Sequence, residues 1–453
     1  MSKIRTVVDY IDWPSLPSTR GAVLIASLYQ LEQSQWWPLS QIHECQLRQI
    51  KMLFQHASQT VPYYKEYLKG FDGNFDVALI KSKWSSLPVI SREELQRAGE
   101  AMWAKTLPPS HGEKHPLQTS GSTGRPVTAY TTEVTRFFYD AMTLREHNWH
   151  DREFNTKLLA IRPENKIPAN ECQLLPVWGG PASEVYQTGP AGAINSCTDI
   201  KIQAQLLCEQ DPGYFLSLPS NIKALAHYFM NEGMTLPRLK QVRSYGEIAD
   251  DELRELCQLA WGVPLIDVYS SQEIGHIALQ CPEEGHYHTM SETVLVEVLD
   301  ENNNPCQPGE TGKVVVTCLH NFAMPLIRYA IGDYAEVGEP CPCGRGLPVL
   351  KRVMGRQRNM LLLPDGKQHW PSFPAERWTA IAPVRQFQII QKSLQDIKVR
   401  LVVERPLNES EIKGLEEMLV ARLSHPFNIA FDFTDTIERS KAGKFEDFVS
   451  EIA

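Results

Sequence analysis

The sequence predicts an α/β protein of layered sheet and helix, and three observations predict it. Residues 134–260 alternate helical stretches with short apolar runs such as Lys157-Leu-Leu-Ala-Ile, the alternation that builds α/β layers. Residues 293–318 hold two strand-like runs around a polar turn, which reads as a β-rich subdomain. After Gly355 a strand and an amphipathic helix fill a last part of about a hundred residues, a usual domain size. The expected division is a large N-terminal domain over 1–355 and a small C-terminal α+β domain over 356–453.

In chain order, residues 40–105 read as helical with interruptions. Ile42 to Gln55 and Arg92 to Ala104 carry helix-type apolar spacing. Leu87-Pro-Val-Ile leads into the second of these, with Ser91 as its N-cap and Glu94 three residues on. Val127-Thr-Ala-Tyr-Thr is β-like. Thr293-Val-Leu-Val-Glu-Val-Leu and Lys313-Val-Val-Val-Thr are strands, and 300–310 between them is turn-rich. Lys398-Val-Arg-Leu-Val-Val-Glu is a strand, and Glu409 to Leu423 a helix starting near Asn408 or Ser410.

Composition sets outer limits. The chain has 453 residues, 42% hydrophobic and 22% charged, ordinary for a globular protein. A net charge of -9 argues against a general nucleic-acid binder, which needs basic stripes. There is no apolar run long enough to span a bilayer, and MSKIRTVVDYIDWP has no signal-like apolar region. A cytoplasmic location, without membrane contact, is the expectation. The ten cysteines are too sparse for a disulfide scaffold, so clustered ones read as metal ligands.

The run LQTSGSTGRPV at 117–127 concentrates chemistry. Thr119, Ser120, Gly121, Ser122, Thr123 and Gly124 combine hydroxyl donors with a backbone free to turn, a nest for phosphate oxygens. No Lys-Ser or Lys-Thr follows, so it is not a Walker A loop. Further along come Ser244-Tyr-Gly246-Glu247-Ile248, then Tyr269-Ser270-Ser-Gln272-Glu273-Ile-Gly, then Pro325-Leu-Ile-Arg-Tyr-Ala-Ile-Gly-Asp333. Gly355-Arg356-Gln-Arg358-Asn359-Met-Leu and Ala442-Gly-Lys444 close the series. Separately, Cys281-Pro-Glu-Glu-Gly-His286-Tyr-His288 and Cys341-Pro-Cys343-Gly-Arg offer three thiols and a histidine, a closed structural zinc set. His288 is the preferred fourth ligand and His286 the alternative.

This ordered set resembles the adenylate-forming superfamily of acyl-CoA synthetases and adenylation domains, in the branch of phenylacetate-CoA ligase and capsule-biosynthesis-type proteins. The resemblance runs from about residue 50 to 445. It implies the adenylate-forming fold with a mobile C-terminal domain. It implies ATP/AMP, Mg²⁺ and coenzyme A as ligands, a small carboxylic acid as substrate, and ligation of that acid to a thiol. By resemblance the loop at 119–124 wraps the β- and γ-phosphates, and Gly246, Glu247 and Ile248 meet the nucleotide. Tyr269 stacks near adenine, with Ser270 and Gln272 beside it, and Glu273 binds Mg²⁺. Asp333 takes the ribose hydroxyls, Arg356 sits at the hinge, and Lys444 is catalytic. Some members of the branch show a similar Cys/His pattern.

The chain departs from the family at Ser270 (Gly), Gln272 (Ser or Thr), Ala330 (Arg), and Arg358 and Asn359 (two acidic hinge residues). Two rival expectations follow. Transfer to an acyl carrier protein or an amine keeps the first step; a non-catalytic nucleotide- or partner-binding homologue loses it. Trp178, Tyr186 and Tyr245 lie between the loop and Tyr269 and suit a pocket for an aryl acid, although core packing explains scattered aromatics equally well.

Overall fold

The computed structural model describes residues 3–118, 128–164, 166–168, 170–371, 373, 375–437 and 445–452. The chain divides into two compact units, Met1–Val353 and Met354–Ala453.

In the first unit a helical lead holds α1 (Thr19–Ser34), α2 (Leu39–Thr60), α3 (Pro62–Tyr67), α4 (Val77–Lys83) and α5 (Arg92–Ala98). Ser91 caps α5 by accepting the Glu94 N–H at 3.1 Å, while the Glu94 carboxylate takes the Tyr63 hydroxyl. Helix α5 stops at Gly99, whose φ of 51° no branched residue adopts cheaply. The hairpin β1 (Lys114–Gln118) and β2 (Thr128–Thr132) precedes α6 (Glu133–Trp149).

The alternation expected over 134–260 is present. It runs β3 (Leu158–Arg162), β4 (Cys172–Leu175), α7 (Gly180–Val185), β5 (Ala191–Asn195), α8 (Ile200–Gln210), β6 (Tyr214–Ser217), α9 (Pro219–Glu232), β7 (Gln241–Tyr245) and α10 (Asp251–Trp261). It ends in β8 (Leu265–Ser271). Strands β5, β3, β6, β7 and β8 are parallel neighbours. Helix α10 illustrates the local logic: Asp250 accepts the Leu253 N–H, Asp251 and Glu252 complement the helix dipole, and Gly262 closes it at φ 70°.

Strands β9 (Gly275–Gln280), β10 (Tyr287–Thr289), β11 (Val294–Leu299), β12 (Thr311–Cys318), β13 (Tyr329–Val337) and β14 (Val349–Arg356) extend the same sheet. The spatial order is β11-β12-β13-β14-β10-β9-β8-β7-β6-β3-β5-β4. The β-rich stretch at 293–318 is present as part of that sheet. Its two strands pair as expected, but β13 pairs with β12 and joins them to the central sheet.

One face of the parallel part packs against α8, α9 and α10, with Phe215, Phe229 and Val242 at the centre. The other core joins Leu24, Phe54 and Met102 of the helical lead to Ile327 and Tyr329. Buried Arg328 bonds Glu297 at 3.1 and 3.0 Å, and its guanidinium also donates to the carbonyls of Trp84, Ser85 and Leu87.

The second unit holds β15 (Leu361–Leu362), β16 (Gln368–His369), α11 (Ala375–Ile381), β17 (Val384–Gln391), β18 (Asp396–Val403), α12 (Glu409–Leu423), β19 (Asn428–Phe433) and β20 (Phe448–Ser450). Its four-stranded sheet is ordered β19-β18-β17-β20. Asn408 caps α12 in a reciprocal box with Glu411.

Candidate active site and metal centre

In parallel sheets, ligands gather at the carboxyl ends of the strands. Strand β7 ends at Tyr245 and turns through Gly246, at φ 76°. The next residue, Glu247, accepts the backbone N–H of Ser220 at 2.8 Å and its hydroxyl at 3.1 Å, at the first turn of α9. Ile248 is exposed.

Strand β8 ends beside it. Its pairing with β9 shifts between Tyr269 and Ser270, so the strand bends there. Tyr269 is buried and its hydroxyl donates to Asp333 Oδ2 at 2.9 Å. Asp333 lies on β13 after Gly332, whose φ is 90°. Beyond β8, Gln272 is exposed, and Glu273 is buried with one carboxylate oxygen 4.0 Å from the Arg92 guanidinium. Tyr269 and Asp333, 64 residues apart, are thus brought together, with Glu273 following on the same strand end. Arg92 was read only as the residue after a helix cap; a lone arginine at a helix start carries no signal of what it faces.

Thr119, Ser120, Gly121, Ser122, Thr123, Gly124 and Lys444 lie outside the described residues. Arg356 ends β14, and its carbonyl lies 3.4 Å from the Trp370 indole nitrogen. Both departures at the expected acidic hinge positions have partners inside the second unit. Arg358 pairs with Glu446 at 2.5 Å, and the Asn359 amide donates to the Phe448 carbonyl at 2.7 Å.

Two of the three aromatics expected near an acid pocket lie elsewhere. Trp178 packs on Phe154 at 5.3 Å and Tyr214 at 5.7 Å, and its indole N–H donates to the Thr156 carbonyl. Tyr186 stacks on Phe154 at 4.3 Å. Tyr214 is the first residue of β6, so this cluster fills the end of the sheet opposite the cleft. Only Tyr245 stands at the carboxyl edge.

The cysteine-rich segments also meet. Cys281, His288, Cys341 and Cys343 place their ligand atoms within 4.8 Å of one another. The Cys281 and Cys341 sulfurs are 3.8 Å apart, and Cys343 Sγ is 3.5 Å from His288 Nε2. A tetrahedral zinc with Zn–S of about 2.3 Å and Zn–N of about 2.0–2.1 Å sets these separations near 3.8 and 3.6 Å. His288 is fully buried, and its Nδ1 faces the Leu347 carbonyl at 3.3 Å, which leaves Nε2 for a metal. The His286 ring is 5.4 Å from that of His288 and outside the four-atom cluster. The residues fit a structural zinc.

Comparison with known proteins agrees with this architecture. The CapK C-terminal domain family matches residues 376–451. A phenylacetate-coenzyme A ligase of Thermus thermophilus is 23% identical over 399 residues, 82% of this chain and 83% of that protein. Protein CapK of Staphylococcus aureus is 20% identical over 438 residues, 90% of this chain and 91% of that protein. Over most of its length the chain is thus similar to phenylacetate-CoA ligase and CapK proteins. A crystal structure of 2-hydroxyisobutyryl-CoA ligase with an acyl-AMP has the same fold, with a TM-score of 0.71 at 15% identity over 93% of this chain and 92% of that one. Among the described residues, no helix is long and apolar enough to cross a membrane.

Proposed function

We propose that the protein is an AMP-forming acid–thiol ligase. It activates a small carboxylic acid with ATP and passes the acyl group to a thiol, with coenzyme A as acceptor. The observation that carries the reading is the Tyr269–Asp333 hydrogen bond at the carboxyl edge of the parallel strands, with Glu273 buried next along the chain. A carboxylate held by a phenol keeps acceptor capacity for a ribose diol.

In this reading Asp333 takes the ribose hydroxyls and Tyr269 orients it, while Gly246, Glu247, Ile248, Ser270 and Gln272 border the nucleotide. The donors at 119–124 bind the phosphates that leave. Glu273 supplies the one carboxylate that Mg²⁺ needs besides phosphate oxygens and water. The acid's carboxylate oxygen bonds to the α-phosphorus as the bond to pyrophosphate breaks, with Lys444 and Arg356 offsetting the charge that builds. The thiol sulfur then bonds to the acyl carbon, its proton is lost to solvent, and AMP leaves. The domains assigned are 1–355 for the nucleotide and acid and 356–453 for the mobile part that carries Lys444. Cys281, His288, Cys341 and Cys343 hold a structural zinc.

Carboxylate-dependent exchange of pyrophosphate into ATP tests the first step, run over aryl, short-chain and long-chain acids with Mg²⁺. Exchange with at least one acid is expected. Folded protein that exchanges with none refutes the reading. Product analysis with and without coenzyme A then identifies the acceptor, a carrier protein or an amine being the other outcomes.

A further inference from the structure

The layer between α6, the carboxyl ends of β3 and β7 and the amino end of β9 is charged where an aryl-acid pocket would be apolar. Along β7, Val242 packs into the core under α9 and α10, so Arg243 and Tyr245 turn to the opposite face. By register, Arg243 has Leu216 of β6 beside it, and Leu216 in turn has Ala160 of β3; Arg162, two residues on, closes that strand. From above, α6 presents Tyr139, Thr143 and Glu146, one face at helical spacing. Tyr139 stacks on His276 at 4.5 Å and Thr143 Oγ1 is 3.0 Å from His276 Nε2. Glu146 takes both Arg243 and Arg152 on one oxygen, each at 2.6 Å.

Four buried polar atoms here have no partner among the described residues: the donors Arg152 Nη2 and Arg243 Nε, the acceptor Glu146 Oε1, and His276 Nδ1. Glu146 is fully buried and His276 is 7% exposed, so water does not satisfy them from bulk. Buried polar groups in proteins are normally paired, so the two guanidinium donors mark where an acceptor belongs. The charge count favours an anion. Arg152 and Arg243 share a single carboxylate, Glu146, and Arg162 ends β3 without a carboxylate partner among the described residues. Neighbouring acids are engaged elsewhere: Asp140 with Arg20, Glu273 beside Arg92, Glu247 on Ser220. The Arg162 side chain is exposed and makes no hydrogen bond or ion pair among the described residues. Tyr139 is 48% exposed, so the layer reaches the protein surface. Burial raises the Tyr139 and Tyr245 phenols, and the positive charges of Arg243 and Arg162 respectively oppose this most.

We propose that the acid taken by this protein carries a second anionic group, remote from the reacting carboxylate, and that Arg243 and Arg162 recognise it. The inference rests on the adenylation reading above and names its substrate class: a dicarboxylate or similarly dianionic acid.

Matched acids test it in the exchange assay: 1,4-phenylenediacetate against phenylacetate, and glutarate against valerate. The dianionic member of at least one pair is expected to have a kcat/KM about 10-fold higher or more, the scale of one charge-assisted contact. Arg243→Met and Arg162→Ala should each erase most of that preference through the KM of the dianion, leaving the KM for ATP in place. Arg243→Met leaves buried Glu146 with Arg152 alone and can cost folding, so the exposed Arg162→Ala is the deciding variant. Equal or faster exchange with the plain acids overturns the inference and leaves the adenylation reading standing. A rise in the KM for ATP in Arg162→Ala, with the acid preference intact, overturns the assignment of Arg162. No exchange with any acid, by protein that binds ATP, overturns the adenylation reading and the inference with it.

Discussion

Replacing Cys343 by serine should cost the first unit its zinc and a measurable share of its stability. Three sulfurs and one nitrogen lie at the separations a tetrahedral zinc imposes, 3.8 Å between Cys281 and Cys341 and 3.5 Å from Cys343 to His288. Structural zinc binds with about 10–16 kcal/mol at neutral pH. The lower end corresponds to a dissociation constant of about 50 nM. Free zinc at about 5 μM is then 100-fold above it and adds about 2.7 kcal/mol to folding. A serine hydroxyl is a poor zinc ligand. If its loss of affinity is only about 100-fold, occupancy falls to half and the added stability to about 0.4 kcal/mol. The difference, about 2.3 kcal/mol, is a fall in Tm of about 3 °C for a unit spanning Met1–Val353. Metal analysis of protein purified without chelator, followed by calorimetry with and without added zinc, reads both effects. Exposed Cys197→Ser is the control and should keep one zinc per chain. Wild-type protein with no zinc near one equivalent, or equal zinc loss in both variants, would sink the assignment.

Three further outcomes are expected. Tyr269→Phe removes the hydroxyl that holds Asp333 and should raise the KM for ATP about 10-fold, the acid KM staying put, in exchange kinetics. His276 and His150 are held neutral, mainly by burial, with pKa lowered to about 4. Because the unfolded chain binds these protons near pH 6.5, stability should fall as pH drops from about 6.5 to 4, by about 1.4 kcal/mol per unit for each histidine, and level off below; urea melts at pH 7, 6 and 5 measure the slope, and His276→Gln should remove one proton from it. Asn359→Asp restores an acidic hinge residue of the family but sets a carboxylate against the Phe448 carbonyl, so amide exchange along Phe448–Ser450 should quicken; unchanged protection there would contradict this.

Local signals carried much of the fold. Helix α12 spans Glu409–Leu423 as its cap and apolar spacing indicate, because Asn408 and Glu411 satisfy each other's backbone donors within one turn. Strands β3 and β12 follow from their apolar runs for the same reason. The continuity of the twelve-stranded sheet was not legible, since β10 pairs with β14 some sixty residues away and no local pattern encodes that register. Trp178 and Tyr186, which suited a pocket and core packing equally well, take the core alternative, because a sequence shows that an aromatic is near a strand, not which end it packs against. For the site, Tyr269, Glu273, Asp333 and the four metal-type ligands were all legible as motifs. The Glu146–Arg152–Arg243 cluster was not, because Arg243 and Glu146 lie 97 residues apart and each alone reads as an ordinary surface charge.

The core shared by the helical lead and the strand at Tyr329 also fixes an order of events during synthesis. Leu24, Phe54 and Met102 find partners in Ile327 and Tyr329, and the Tyr64 hydroxyl donates to the Pro325 carbonyl at 2.8 Å. About 220 residues separate Met102 from these partners. At ~5–20 residues per second, the ribosome delivers them about 11–45 s later. Over that interval the emerged helices wait with their apolar faces uncovered. A fragment ending before residue 325 should therefore aggregate or recruit a chaperone, and the nascent chain should turn protease-resistant only after the strand at Tyr329–Val337 clears the exit tunnel.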